Sequence, residues 1–170
     1  MILVRASRLA VVAVAALVAC GCSHYSFSAA MRTHISTVAV PVLENETLEF
    51  AAGQDITDTI IDVLSEDGTL RVVERENADS IIRGSVVTYS RSVMSYDAGG
   101  TPRDYKVRAV ARLAYEDLTR GEVVWQQDVE GWAVYSESGT GEELTTEAEA
   151  RAEAFGNLAR DVLAMTVQGW

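Results

Sequence analysis

Between Tyr105 and Glu116 the chain is apolar at every odd position, with Tyr105, Val107, Ala109, Ala111, Leu113 and Tyr115. Lys106, Arg108, Arg112 and Glu116 stand on the even positions between them. Successive side chains of a strand point to opposite faces, so the segment needs a sheet with one side buried and one side wet. That requirement organises the reading of everything around it.

Its neighbours alternate as well. Ser80 to Tyr96 sets Ile82, Val86 and Thr88 against Ile81, Val87 and Tyr89. Glu122 to Tyr135 sets Val123, Trp125, Gln127 and Val129 against Val124, Gln126, Asp128 and Glu130. Thr119-Arg120-Gly121 makes a tight hairpin turn with Gly where positive φ is needed. Asp97 to Pro102 is a loop by composition. Earlier, Thr37-Val38-Ala39-Val40-Pro41-Val42-Leu43 is a β-rich apolar run that Pro41 assigns to an edge or a bulge, and Glu44 to Thr47 breaks it. Thr69 to Glu74 is a short strand and Arg75 to Asp79 a charged turn.

Two stretches change period. From Asp55 to Glu66, Ile56, Ile60, Val63 and Leu64 fall on one helical face, with Asp55, Asp58, Asp62 and Glu66 turned to water; Gly68 stops the helix. From Thr146 to Val167 an apolar stripe runs through Leu144, Ala148, Ala152, Phe155, Ala159, Val162, Leu163 and Thr166, and Thr146 with Glu149 has capping-box spacing. The expected fold is an α+β two-layer sandwich, with two helices on a mainly antiparallel sheet of about four strands, in the order β-α-β-β-β-β-α.

The N-terminus addresses the chain. Arg5 and Arg8 precede an uncharged apolar run, Leu9 to Val18, that ends at Ala19-Cys20-Gly21-Cys22. This is a secretory signal, too short to span a bilayer. Leu17-Val18-Ala19-Cys20 resembles a bacterial lipobox, which makes Cys20 the lipidation site and Cys22 the alternative. The expected organisation is a signal peptide over 1–19, a lipidated tether over 20–36 and one domain over 37–170. A C-x-C pair strains disulfide geometry and lacks the usual zinc spacing, so neither a bridge nor a metal is expected there. Without the signal, 151 residues remain, with 12 cations against 25 acids and a net charge of −13. Such a surface disfavours nucleic acid.

No catalytic constellation stands out. His24 and His34 both precede the first strand. There is no nucleophile elbow and no phosphate loop. The acids at 55, 58 and 62 fit a solvated helix face, and Gly139 and Gly141 beside Glu142 and Glu143 lack the alternating ligands of a calcium loop. Trp125, Trp132 and Phe155 read as core. No enzyme activity and no cofactor are expected. Lys106, Arg108 and Arg112, with Arg103 before them and Arg83 and Arg91 on the neighbouring strand, form a basic region suited to phosphate or carboxylate. The same residues equally suit cross-strand ion pairs with Glu116, Asp128 and Glu130.

A family resemblance is carried by Cys22-x-x-Tyr25-Ser26-Phe27, by Ile35 to Glu49, and by Asp67-Gly68-Thr69-Leu70-Arg71-Val72-Val73. It continues through Ala78 to Gly84, Tyr89-Ser90-Arg91, Ser95-Tyr96-Asp97, Gly121 to Trp125 and the closing Gly169-Trp170. These phrases resemble the LptE family of outer-membrane lipopolysaccharide-assembly lipoproteins. The resemblance implies a sandwich seated in the LptD barrel that acts as plug, assembly aid and lipopolysaccharide contact, the contact falling by position on Arg91, Lys106, Arg108 and Arg112. The Tyr25/Phe27 register favours Cys22 as acyl acceptor and the lipobox favours Cys20. A lipid-anchored, periplasm-facing scaffold of a secretion or surface-organelle apparatus is the alternative function.

Overall fold

The computed structural model describes residues 34–137 and 146–167. The leader with Cys20, Cys22 and His24, the loop containing Gly139, Gly141, Glu142 and Glu143, and Leu144 lie outside the described residues. Among the described residues, six strands and two α-helices follow in the order β1 (Thr37–Ala39), β2 (Glu44–Asn45), α1 (Ala52–Asp67), β3 (Arg71–Val72), β4 (Ser80–Tyr96), β5 (Pro102–Asp117), β6 (Glu122–Ser136) and α2 (Glu147–Val167). The two-layer α+β class holds, but six strands replace four and the sheet is mixed. Its order is β3-β1-β4-β5-β6, with β2 pairing farther along β4. β4, β5 and β6 are antiparallel neighbours, whereas β1 runs parallel to both β3 and β4 and β2 runs parallel to β4.

Pro41 explains the divided opening. It lacks the N–H that a ladder needs, so pairing stops at Ala39 and resumes at Glu44 and Asn45, opposite Ser85 and Val86. Glu44 and Asn45, read from sequence as strand-breaking, thus form a short strand. β1 is internal and not an edge, because β3 returns beside it through α1, the crossover that a parallel pair requires.

α1 buries Ile56, Ile60 and Leu64 as its spacing requires, and closes on Gly68 in the left-handed conformation, whose N–H reaches the Leu64 carbonyl. Gly53 lets the helix start lie on the chain after β1: a Cβ there would stand 2.6 Å from the Leu43 carbonyl oxygen. The buried Thr57 hydroxyl accepts from the Leu43 N–H at 3.0 Å and donates to the Gly53 carbonyl at 2.6 Å, leaving no polar group orphaned at this contact.

α2 opens on the expected capping box, with Thr146 and Glu149 exchanging backbone-to-side-chain bonds at 3.0 and 3.2 Å. Its stripe is rotated from the expected one in the first two turns. Ala148 and Ala152 are exposed, while Ala150, Ala154, Phe155, Leu158, Ala159, Val162 and Met165 are buried. Alanine lies on both sides of this helix, so periodicity alone does not choose the face. Gly131 on β6 chooses it, since the helix backbone at Ala154 comes so close that a Cβ at 131 would be 2.0 Å from the Ala154 carbonyl oxygen. Phe155 joins the main core with Val38, Leu43, Ile82, Leu113 and Trp125.

Two carboxylates pin the entering chain at one end of the sheet, where Asp117 at the end of β5 pairs with Ser80, the residue after Asp79. Asp79 accepts from the Ser36 N–H, the Ser36 hydroxyl and the Thr37 N–H at 2.9–3.0 Å, and these bonds hold its pKa at about 2. Asp117 is fully buried. Burial alone would raise its pKa, but bonds from the Thr119 hydroxyl, His34 and the Arg120 and Thr119 N–H groups outweigh it and hold the carboxyl well below the usual range. His34 therefore already belongs to the folded body.

Candidate functional site

Both helices cover the same side of the sheet, which leaves its other side open among the described residues. Three of the four candidate contact residues stand on that open side: Lys106, Arg108 and Arg112, at alternate positions of β5. On β4 their direct partners are Ser92, Ser90 and Ser85, and on β6 they are Val134, Trp132 and Asp128. The short, exposed side chains of Ser90 and Ser92 leave Arg108 and Lys106 accessible from that flank, whereas Ser85 beside Arg112 donates to Glu46, just after β2, at 2.6 Å.

Each arginine of the open face has a carboxylate. Arg112 meets Asp128 through two bonds at 2.9 and 3.3 Å, Arg108 meets Glu130 at 2.7 Å, and Arg83 meets Glu116 at 2.5 and 3.0 Å. The hydrogen bond from Arg108 keeps the Glu130 carboxyl below its ordinary pKa. The face therefore carries cross-strand ion pairs, as the second reading of the sequence requires. These pairs are exposed, so they set geometry more than stability. Arg103 sits at the start of β5, 3.7 Å from Asp104. Lys106 is held differently, with its ammonium 4.5 Å from the centre of the Trp132 ring.

Arg91 is on the other side of the sheet. β4 carries a bulge at Val87, where the register steps from Val86 opposite Ala111 to Thr88 opposite Val110. One extra residue exchanges the two faces beyond it, so Tyr89 and Arg91 follow Val86 onto the helix side and Thr88 moves to the open side. Arg91 lies 4.1 Å from the Tyr105 ring centre and 5.6 Å from that of Tyr135, two rings stacked at 5.3 Å. Glu137 and Glu147 complete its surroundings at 3.1 and 3.5 Å. Tyr89 donates to Glu147 at 3.2 Å, and burial together with that carboxylate pushes its pKa up to about 12. The four candidate cations thus form a group of three and a separate clamp.

Trp132 is the residue that the expectation of an aromatic core misplaced. Trp125 and Phe155 are buried, but Trp132 is 49% exposed on the open face. The parity signal was present: Trp132 shares its face with Asp128 and Glu130, and strand alternation prevailed over residue type. Asn157 of α2 donates to the Trp132 carbonyl at 3.1 Å, a contact with no sequence signal. Lys106, Arg108, Arg112 and Trp132 thus share one face, where each guanidinium has the planar fork that carboxylate or phosphate fits and here holds a carboxylate.

Comparison with known proteins follows from this architecture. No curated protein matches the sequence. Among solved structures, the chain is similar to the hypothetical protein CT253 of Chlamydia trachomatis, with a TM-score of 0.55 at 11% identity, covering 77% of this chain and 95% of that one. It is also similar to protein XCC0632 of Xanthomonas campestris, with a TM-score of 0.52 at 12% identity, covering 78% and 84%. A third similar structure is uncharacterized lipoprotein B of Nitrosomonas europaea, with a TM-score of 0.50 at 17% identity and the same coverages. At these identities the likeness is one of fold. The sequence profile of LptE, lipopolysaccharide-assembly, matches residues 35–166, from the segment entering β1 almost to the end of α2. The chain belongs to the LptE family.

Proposed function

We propose that this protein is an outer-membrane lipoprotein that seats in an LptD-type barrel and helps assemble lipopolysaccharide at the cell surface. The family match across residues 35–166 carries the reading. Among the described residues no helix is long and apolar enough to cross a membrane. Acyl chains on Cys20, or on Cys22, supply the anchor, and two or more chains hold stably where one does not. The tether then enters the body at His34.

In this reading Lys106, Arg108 and Arg112 contact the phosphates of the glycolipid, while Trp132 lies against its apolar or sugar portion. A phosphate approaching Arg108 or Arg112 exchanges with Glu130 or Asp128, which have kept each guanidinium oriented. Arg91 forms a second, weaker contact through its exposed edge. Replacing Lys106, Arg108 and Arg112 together by Ala tests the lipid contact. Folding should persist, because wet-face substitutions usually cost about 0.5 kcal/mol or less each. Binding of a bisphosphorylated glycolipid should weaken, and the difference from the parent should shrink at high salt, where exposed charges are screened within about 10 Å or less. Unchanged binding in the triple variant removes the lipid contact. Retained co-purification of the LptD-type barrel with that variant keeps the barrel partnership separate from it.

A further inference from the structure

The two edges of the sheet are unlike. On one side stands β3, two residues long. On the other is β6, fifteen residues long, and among the described residues no strand pairs with its outer side. Natural edges are usually blunted by shortness, Lys, Pro or a bulge. From Trp125 to Ser136 β6 has no Lys or Pro, and its register against β5 is unbroken.

The outward backbone groups can be assigned. Asn157 reaches the Trp132 carbonyl from α2, so that carbonyl points away from β5. Antiparallel ladders alternate, so the outward N–H and C=O groups belong to Asp128, Glu130, Trp132 and Val134. Beside this row a groove of about 500 Å³ runs between β6 and the outer side of α2, lined by Glu130 to Val134, Glu153, Asn157, Arg160 and Asp161. Arg160 is held by Glu153 at 3.1 Å and by Asn157 at 2.5 Å. Glu130 is already paired with Arg108 and Glu153 with Arg160, so the negative excess of the groove rests on Asp161.

We infer that the β6 edge is a docking site for an extended, Lys- or Arg-bearing segment of a partner chain, which adds to the sheet as a seventh strand. Outward N–H and C=O groups in a row, all but the Trp132 carbonyl that Asn157 occupies, are complementary to another strand's backbone. The Asp161 carboxylate of the groove selects a basic side chain. A second copy of this chain is the poorer occupant: pairing β6 with itself brings Asp128, Glu130, Glu153 and Asp161 of two molecules together, in a chain of net charge −11.

The test uses the full chain in neutral detergent with the peptide acetyl-(Lys-Val)4-amide, read by residue-resolved amide exchange. Saturating peptide should slow exchange at Asp128, Glu130, Trp132 and Val134 by about tenfold or more, while Val129, Gly131 and Ala133, already bonded to β5, stay unchanged. The same peptide with alternate backbone nitrogens methylated should give no protection. Glu153→Gln with Asp161→Asn should weaken binding of the unmodified peptide several-fold at low salt. Protection absent from the four even residues overturns the inference, as does equal binding of the methylated peptide. Protection that arises without peptide, together with concentration-dependent dimerisation, overturns the choice of occupant.

Discussion

Replacing Gly131 by Ala probes the closest contact between the two layers. The added methyl would stand 2.0 Å from the Ala154 carbonyl oxygen and 2.8 Å from both the backbone nitrogen and the Cβ of Leu158. Two of those three atoms are backbone, so no side-chain rotation relieves the clash and α2 must move outward. A retreat of even ~0.5–1 Å forfeits a quarter to a half of each dispersion contact that it stretches. The residues affected are the fully buried Leu158 and Val162 and the nearly buried Phe155. Overpacking of this kind costs about 1–3 kcal/mol, and the absence of a flexible neighbour places Gly131→Ala at ~3. A urea melt with a slope of about 2 kcal/mol/M then loses ~1.5 M from its midpoint. Gly156→Ala is the matched control. It lies in α2, and its added methyl meets the exposed end of the Arg160 side chain, at 3.3 Å, with no backbone atom among its nearest neighbours. Removing a helical glycine there should stabilise by about 0.5–1 kcal/mol. A Gly131→Ala midpoint at or above the parent's would refute the close approach of α2 to β6.

Two further expectations concern stability. Phe155→Ala should cost about 3–5 kcal/mol, since the ring is buried against the sheet. Arg151→Ala should cost under about 1 kcal/mol, because its bond to Glu49 at 2.8 Å is partly exposed and solvent-screened; equal losses in the two melts would misplace the buried face of α2. Asp79 and Asp117 both have depressed pKa values in the folded state. The stability they contribute is present above the unfolded carboxylate pKa of about 3.9 and is lost as pH falls through the folded values. The urea midpoint should therefore decline from about pH 4 toward 2, and Asp79→Asn should flatten part of that decline; an unchanged profile in the variant would dismiss the role of Asp79.

The long strands were legible because β4, β5 and β6 alternate over many residues, and a one-faced sheet follows from that directly. α1 was equally plain, since Ile56, Ile60 and Leu64 allow a single buried face. The divided opening was half legible: Pro41 announced an interruption, but two-residue pairings such as Glu44 and Asn45 leave no periodic trace. The bulge at Val87 left none either. A single unpaired residue has no compositional signal in a Val-Val pair, yet it moved Arg91 to the helix side and broke up the expected cluster. The rotation of α2 was hidden for another reason. An Ala-rich helix carries its orientation in the partner surface, here Gly131, and not in its own sequence. At the candidate site the ion pairs were foreseeable from opposite charges on neighbouring strands, whereas the Lys106–Trp132 contact needed the register.

The most direct measurement follows lipopolysaccharide itself. Depleting this protein in the organism that makes it, then labelling lipopolysaccharide at the surface of intact cells, tests a role in surface assembly. The account predicts falling surface lipopolysaccharide, with the molecule accumulating inside and the LptD-type barrel failing to mature, all restored by the lipidated chain. Normal surface lipopolysaccharide and a mature barrel after depletion would contradict it.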